Sequence, residues 1–232
     1  MKLAVITARG GSKRIPRKNI KSFCGKPIIA YSIEAALESQ CFDEVMVSTD
    51  DEEIANISRQ YGAVVPFMRS KKTADDFATT AEALLEVLYE YQNQERHFEY
   101  FCCFYPTAPL ITLDNLNKAF QLLQSDLTLD NVFPIVQFSF PIQRAFQLKN
   151  NKVSFINSAH ALTRSQDLEP AFHDAGQFYF SRTEAFLKNK TLISENTGGI
   201  VLPEWQVQDI DNLDDWKLAE MKYVLIHQAM SV

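Results

Sequence analysis

The opening of the chain constrains it most. Residues 3–7 form an apolar run, and Gly10 and Gly11 follow at once among six cations, Arg9, Lys13, Arg14, Arg17, Lys18 and Lys21. A short apolar run bounded by turn residues reads as a buried strand that delivers a loop. The alternation then repeats. Residues 27–38 carry apolar positions at helical spacing, and Pro27 suits a first helical turn. Residues 44–49 read as a second strand. Asp50 or Asp51 can cap the helix expected over 52–61, and Gly62 suits its end. Residues 63–67 read as a third strand and 100–104 as a fourth. Helices are expected over 80–92, from Ala81, Leu84, Leu85 and Leu88, and over 113–123. Strands alternating with helices predict βαβ units, hence an α/β fold with a mostly parallel sheet. Ligands sit at the carboxyl ends of such strands, so the loops after Thr7, Thr49 and Phe104 should share one crevice.

The pattern changes near residue 130. Residues 131–138, 144–148 and 153–156 read as strands, with turn chemistry at Lys149, Asn150, Asn151 and Lys152. This predicts a β-hairpin excursion at about 138–172 inside a single domain of residues 1–232. Its apolar surface is awkward to hide in a monomer, so a homodimer contact is expected there. Strands at 176–181 and 206–210 and a closing helix over 214–230 complete the reading.

Composition narrows the function classes. Lysine and arginine total 23 against 29 aspartates and glutamates, a net charge of −6. That balance argues against nucleic acid as a partner, which calls for a basic footprint. No stretch is long enough for a membrane span, and the start is too short for a signal segment. Cys24, Cys41, Cys102 and Cys103 make no C-x-x-C pair or zinc spacing, and Cys102 and Cys103 sit in an apolar run. The expectation is a cytoplasmic protein without a disulfide framework.

The loop of residues 8–19 carries the chemistry. Glycines let backbone N–H groups approach a polyphosphate closely. Arg9 offers a planar fork to phosphate oxygens, while Lys13 and Lys18 offer point charges. Such a loop can neutralise a triphosphate and its pyrophosphate leaving group. It matches neither the P-loop nor the G-x-G-x-x-G dinucleotide pattern. The plain alternative is a solvated basic turn, and the preceding buried strand favours phosphate.

Arg9, Gly11, Ser12, Lys13, Lys18 and Asn19, in the spacing R-x-G-S-K-x-x-x-x-K-N, resemble the signature of the CMP-sialic acid synthetases. Arg69 with Thr73, Asp76, Thr79 and Thr80 looks like that family's second block. Residues 105–110, from Tyr105 to Leu110, look like its Q-P-T-S-P-L block. Asp209 and Asp211 look like its late D-x-D element, which in the family holds Mg²⁺. The runs 20–32, 105–109 and 171–179 are most similar to the branch that activates pseudaminic acid, and Tyr105 stands where enzymes acting on N-acetylneuraminic acid have Gln. The resemblance implies a Rossmann-like fold of the nucleotide-diphosphosugar-transferase type. It also implies a cytidylyltransferase that moves CMP from CTP to the anomeric hydroxyl of an acidic sugar with Mg²⁺ as cofactor. Legionaminic, N-acetylneuraminic and 3-deoxy-manno-octulosonic acids are rival acceptors, and a non-catalytic nucleotide-binding regulator is a rival of another class.

The resemblance gives residues roles. Ala8, Arg9, Gly10, Gly11, Ser12, Lys13, Lys18, Asn19, Arg69, Thr80 and Tyr105 are expected at the nucleotide, with Arg9, Lys13 and Asp211 in the catalytic step. Asp209 and Asp211, two apart, would face one side of a strand and share a cation. The alternative is that Asp211 caps the final helix. Tyr105, Arg144, Arg164, Asp174 and Gln177 are expected at the sugar, an arginine gripping its carboxylate. Asp50 is read as a helix cap before a ligand contact. His173 is read as structural, and Phe178 and Tyr179 divide evenly between core and ligand platform. No residue stands out as a general base.

Overall fold

A computed structural model of the chain describes residues 1–229. Strand β1 (Lys2–Thr7) leads through the basic loop to a small hairpin, β2 (Ser22–Phe23) and β3 (Lys26–Pro27), then to α1 (Ile28–Glu38). β4 (Glu44–Ser48), α2 (Glu52–Gln60), α3 (Lys71–Ala74), α4 (Thr80–Asn93), β5 (Tyr100–Phe104) and α5 (Leu113–Ser125) follow. The second half holds β6 (Asn131–Gln137), β7 (Phe146–Lys149), β8 (Lys152–Phe155), β9 (Phe172–Asp174), β10 (Phe178–Arg182), α6 (Thr183–Asn189), β11 (Thr197–Leu202) and α7 (Leu213–Ala229).

The main sheet runs β11-β6-β10-β5-β1-β4, with β9 also pairing β6. β1 pairs in parallel with β4 and β5, and β6 with β11. β10 is antiparallel to both of its neighbours and β9 to β6. The sheet is thus mostly parallel with β9 and β10 reversed, as the βαβ alternation predicts. Side chains alternate across it. Ala4, Ile6 and Cys102 face one core with α1, α2 and α5, while Leu3, Val5 and Cys103 face the other with α4. Burial holds both thiols protonated, Cys103 pushed up to about 12, so they behave as core side chains.

Two local expectations fail, and a third holds within a residue. The strand expected over 63–67 shrinks to one bridge between Met46 and Val64, because Pro66 has no N–H to extend the ladder. The strand expected over 206–210 is a 3-10 turn at Glu204–Gln206 followed by residues that pair with no strand among those described. Its apolar residues are two buried anchors, Val207 and Ile210, rather than part of a ladder. The closing helix begins at Leu213, and Met230, the expected last residue, lies outside the described residues.

The excursion is a separate two-stranded sheet, β7 with β8. Asn150 and Asn151 turn it with φ of 50° and 60°, the left-handed pair that a two-residue hairpin turn requires. Phe146 and Phe155 touch across the strands at 4.6 Å between ring centroids. Phe140, Phe146, Leu148, Val153, Ile156 and Leu162 are all exposed.

Candidate active site

The basic loop is fixed at both ends by interactions with other elements. Ala8 is buried, and its N–H donates to the Ser48 carbonyl at 2.9 Å. The Gly10 N–H donates to Asp50 Oδ1 at 2.9 Å, which joins the loop after β1 to the loop after β4. Asp50 is therefore not the helix cap. Asp51 caps α2 through the Ile54 N–H, and the same carboxylate takes two bonds from Arg17, at 2.5 and 3.0 Å. The Arg17 guanidinium holds the Asp51 carboxyl down to about 2. A Cβ on residue 10 would lie 2.8 Å from Asp51 Oδ2 and 3.0 Å from Asp51 Cβ, so only glycine fits beside this locked carboxylate. Gly11 has open space around it.

The middle of the loop has an anchor that a charge-based reading misses. Ile15 is 2% exposed and joins Phe23, Ile28, Tyr31, Ile210 and Trp216 in a small core under α7. The Asn19 side-chain amide donates to the Arg9 carbonyl at 2.9 Å, tying the two ends of the loop together. Lys18 Nζ donates to the Ile210 carbonyl at 2.7 Å, and burial lowers its pKa. The loop thus reaches across to the 209–211 segment.

These ties shape a cavity of about 670 Å³ at the carboxyl ends of β1 and β5. Arg9, Ser12, Lys13, Lys18 and Asn19 line one wall, with Arg14 and Ile15. Thr80, Tyr105, Pro106, Thr107 and Asp76 line another, and Asp209 and Asp211 close the third. Its size is in the range of small-molecule sites. The loops after Thr7 and Phe104 share this cavity as expected, whereas the loop after Thr49 lines none of it and meets the basic loop through the Gly10–Asp50 bond instead.

Charges inside the cavity are paired with one another. Asp76 accepts from Arg9 Nη1 at 2.7 Å and also pairs with Lys13. Those two cations lower its pKa, Lys13 first. Arg14 pairs with Asp211 at 2.6 Å. Asp211 does not cap α7. Asn212 does so, accepting from the Asp214 and Asp215 N–H groups at 2.8 and 3.0 Å, while Asp215 accepts back from the Asn212 N–H at 3.0 Å. The Asp211 side chain is left for the cavity. Asp209 lies against the Gly176 turn, whose φ is +63°. Burial and then the neighbouring Asp211 raise its pKa. Two carboxylates that repel at the edge of a cavity, with no third acidic, histidine or cysteine ligand among the described residues, fit Mg²⁺, which takes one or two carboxylates plus phosphates and waters.

The remaining predicted residues separate into two groups. Thr80 and Tyr105 are in the cavity wall. Thr79 is not free for ligand, because it forms a capping box with Glu82 at the start of α4. Arg69 is buried behind the wall, donating to the Ser48 Oγ and carbonyl at 3.0 and 2.8 Å. Gln177 donates from Nε2 to the Gln206 carbonyl at 2.7 Å, and its buried Oε1 has no partner. Asp174 accepts from the Gly176 N–H at 2.7 Å and from the Tyr179 hydroxyl at 2.5 Å. Arg144 and Arg164 lie on the excursion and line none of this cavity. Arg144 donates to Ser165 Oγ at 3.2 Å, and Arg164 pairs with Asp167 at 2.8 Å. His173 is exposed and its ring contacts Phe138.

Known proteins resemble the chain over most of its length. A family model described as cytidylyltransferase matches residues 3–210. The chain is 43% identical over 229 residues to the pseudaminic acid cytidylyltransferase of Campylobacter jejuni subsp. jejuni, with 98% of each chain covered. It is 33% identical over 239 residues to the CMP-N,N'-diacetyllegionaminic acid synthase of Legionella pneumophila subsp. pneumophila, again covering 98% of each. In fold it resembles a CMP:2-keto-3-deoxy-manno-octonic acid synthetase complexed with CTP, with a TM-score of 0.69 at 17% identity over 98% of this chain and 99% of that one. The chain belongs to the cytidylyltransferase family.

Proposed function

We propose that the chain transfers CMP from CTP to the anomeric hydroxyl of pseudaminic acid and releases pyrophosphate. The observation that carries this reading is the meeting of three groups in one cavity: the loop cations, Tyr105 with Thr80, and the Asp209–Asp211 pair. The 43% identity to a pseudaminic acid cytidylyltransferase over nearly all of both chains supports the choice of sugar. The 33% relative that makes CMP-N,N'-diacetyllegionaminic acid keeps that sugar as the second reading.

In the reaction the anomeric hydroxyl attacks the α-phosphorus in line with departing pyrophosphate. Arg9, Lys13 and Lys18 stabilise the charge on the phosphate chain as it develops. The loop backbone keeps its place, because Asn19, Asp50 and Ile15 already hold it. Asp209 and Asp211 are the residues that would hold Mg²⁺. That ion, when bound, polarises phosphate oxygens and lowers the pKa of a hydroxyl beside it. Asp76 must leave Arg9 and Lys13, and Arg14 must leave Asp211, as ligand charges replace them. The exposed apolar hairpin fits a homodimer contact, and the site of action we propose is the cytoplasm.

The deciding experiment is pyrophosphate release with CTP and Mg²⁺ against a panel of nonulosonic acids. We expect the highest kcat/KM on pseudaminic acid. A higher value on legionaminic or N-acetylneuraminic acid overturns the choice of sugar, and CTP binding without pyrophosphate release on any of them overturns the activity.

A further inference from the structure

The two aspartates that close the cavity sit on a stretch of chain with no ladder to hold it. Residues 207–212 pair with no strand among those described. A strand in a sheet takes its place from main-chain hydrogen bonds. Here side chains from several elements supply them. Gln177 Nε2 donates to the Gln206 carbonyl at 2.7 Å, and Asn115 Nδ2 of α5 donates to Gln206 Oε1 at 2.9 Å. Both of these amide side chains belong to buried residues. Lys18 Nζ donates to the Ile210 carbonyl, between the two aspartates.

Helix α7 grips the stretch at both ends. Lys222 Nζ donates to the Val207 carbonyl at 2.7 Å, and to the Glu204 carbonyl and Gln208 Oε1 at 3.1 Å each. An ammonium has three hydrogens, so all three are committed here. Gln208 passes the grip on, because its Nε2 donates to the Asp209 carbonyl at 3.0 Å. At the other end Asp215 Oδ2 accepts from the Asp211 and Asn212 N–H groups at 2.9 and 3.0 Å. Asp215 and Lys222 are seven residues apart, close to two turns, so they share one face of the helix. Trp216 and Ala219 seat that helix in the same small core that anchors Ile15 of the basic loop. One helix thus mounts both the loop and the carboxylate pair.

We propose that Lys222 and Asp215 are positioning residues that hold the Asp209 and Asp211 carboxylates in place, so that α7 sets the affinity of the site for a divalent cation. This deepens the activity proposed above and rests on its assignment of the two aspartates to Mg²⁺. Mg²⁺ demands near-octahedral geometry and keeps several of its waters, so the one or two carboxylates it takes must already stand in position. Neither Lys222 nor Asp215 lines the cavity. Each acts on the aspartates through the main chain that carries them.

The test measures cation binding without turnover. Mn²⁺ is titrated into the intact chain free of nucleotide, and unbound Mn²⁺ is followed by electron paramagnetic resonance. Lys222→Met keeps the aliphatic stem and removes the three donors. We expect the Mn²⁺ Kd to rise about 10-fold, the lower end of what groups behind metal ligands contribute. The Mg²⁺ concentration for half-maximal pyrophosphate release should rise by a similar factor, while the sugar KM changes less than twofold. Asp215→Asn keeps an oxygen for the two N–H groups and should hold the Mn²⁺ Kd within twofold, whereas Asp215→Ala should raise it as Lys222→Met does. The Asp215 pair decides the matter should Lys222→Met fold poorly, and thermal melts identify that case. A lowered melting temperature with an unchanged Mn²⁺ Kd in Lys222→Met and Asp215→Ala reduces both residues to structural supports and overturns the proposal. Asp215→Asn that weakens Mn²⁺ as much as Asp215→Ala also overturns it, because charge rather than position would be at work. In both cases a loss of Mn²⁺ binding in Asp211→Asn leaves the cation site standing. Mn²⁺ binding that is absent from the unsubstituted chain, or indifferent to Asp211→Asn, overturns the assignment of the aspartates to the cation and the role of α7 with it.

Discussion

The loop of residues 8–19 and the excursion of residues 138–172 invert the usual assignment of residue types. The loop is rich in charge, yet Asn19, Ile15 and Ala8 are buried and its cations are held by specific carboxylates. The excursion is rich in apolar residues, yet Phe140, Leu148 and Leu162 face outward. A polar segment becomes rigid because long-range partners satisfy it. An apolar segment is exposed because one hairpin cannot bury both of its faces. The first arrangement is what a preorganised anion site needs. The second is what a surface awaiting a partner looks like.

The strongest way to break the comparison is to remove a charge from the loop. Arg9→Ala should lower kcat/KM by about 10³-fold, close to the loss when one preorganised transition-state donor is deleted. Steady-state pyrophosphate release checks it, and a loss under tenfold would mean that the loop is only a solvated turn. Next is the fit of the loop rather than its charge. Gly10→Ala drives a methyl group into Asp51, which Arg17 and the α2 cap hold in place. We expect about 2–3 kcal/mol of lost stability by urea denaturation. Gly11→Ala, which meets open space, should cost far less.

The excursion should respond in a different quantity. Leu148→Lys with Val153→Lys, both on exposed hairpin positions paired across β7 and β8, leaves the loop untouched. Sedimentation should show a weakened dimer, with Kd raised about 30-fold or more, roughly 2 kcal/mol. The melting temperature of the separated chain should move little. A wild type that sediments as a monomer would leave the exposed apolar residues without a second copy to cover them, and the dimer contact would fall.

How much of the fold and site was legible in the sequence follows the range of the interactions. β1, β4, β5 and their helices were readable because apolar periodicity is local, and the meeting of the loops after β1 and β5 in one cavity followed from the parallel order, though the loop after β4 stays outside it. The cap belongs to Asp51 and not to Asp50 as preferred, because both can cap and only the three-dimensional approach of Gly10 separates them. The pairing of Arg14 with Asp211 spans most of the chain and leaves no sign in either segment. Asp76 lies in the block after Arg69 that resembles the family's, but its position over Arg9 and Lys13 depends on how α3 and α4 bring that block to the loop. Ile15 did carry a signal, as one apolar residue in a run of cations. The apparent strand over 206–210 misled for a related reason, since apolar residues also appear where two side chains, Val207 and Ile210, anchor an unpaired segment.

The smallest predicted effect isolates the lock at the far end of the loop. Asp51→Asn keeps the helix cap, since asparagine caps about as well as aspartate, and removes the charge opposite Arg17. The folded carboxyl is held at about 2 against an ordinary value of 3.8, chiefly by the Arg17 hydrogen bond. A depressed carboxylate contributes stability that is complete above 3.8 and lost as pH falls through about 2. The Arg17 side chain is 39% exposed, so solvent screening reduces the contribution to about 1 kcal/mol. Denaturation of both proteins near neutral pH should therefore show a gap of that size, and the gap should close as the pH falls from 3.8 toward 2. A gap that persists unchanged in acid would mean that asparagine fails as a cap, or that the loop tolerates no change at residue 51. The stiffness of the loop would then come from shape rather than from its charge, which is the one respect in which it would come to resemble the excursion.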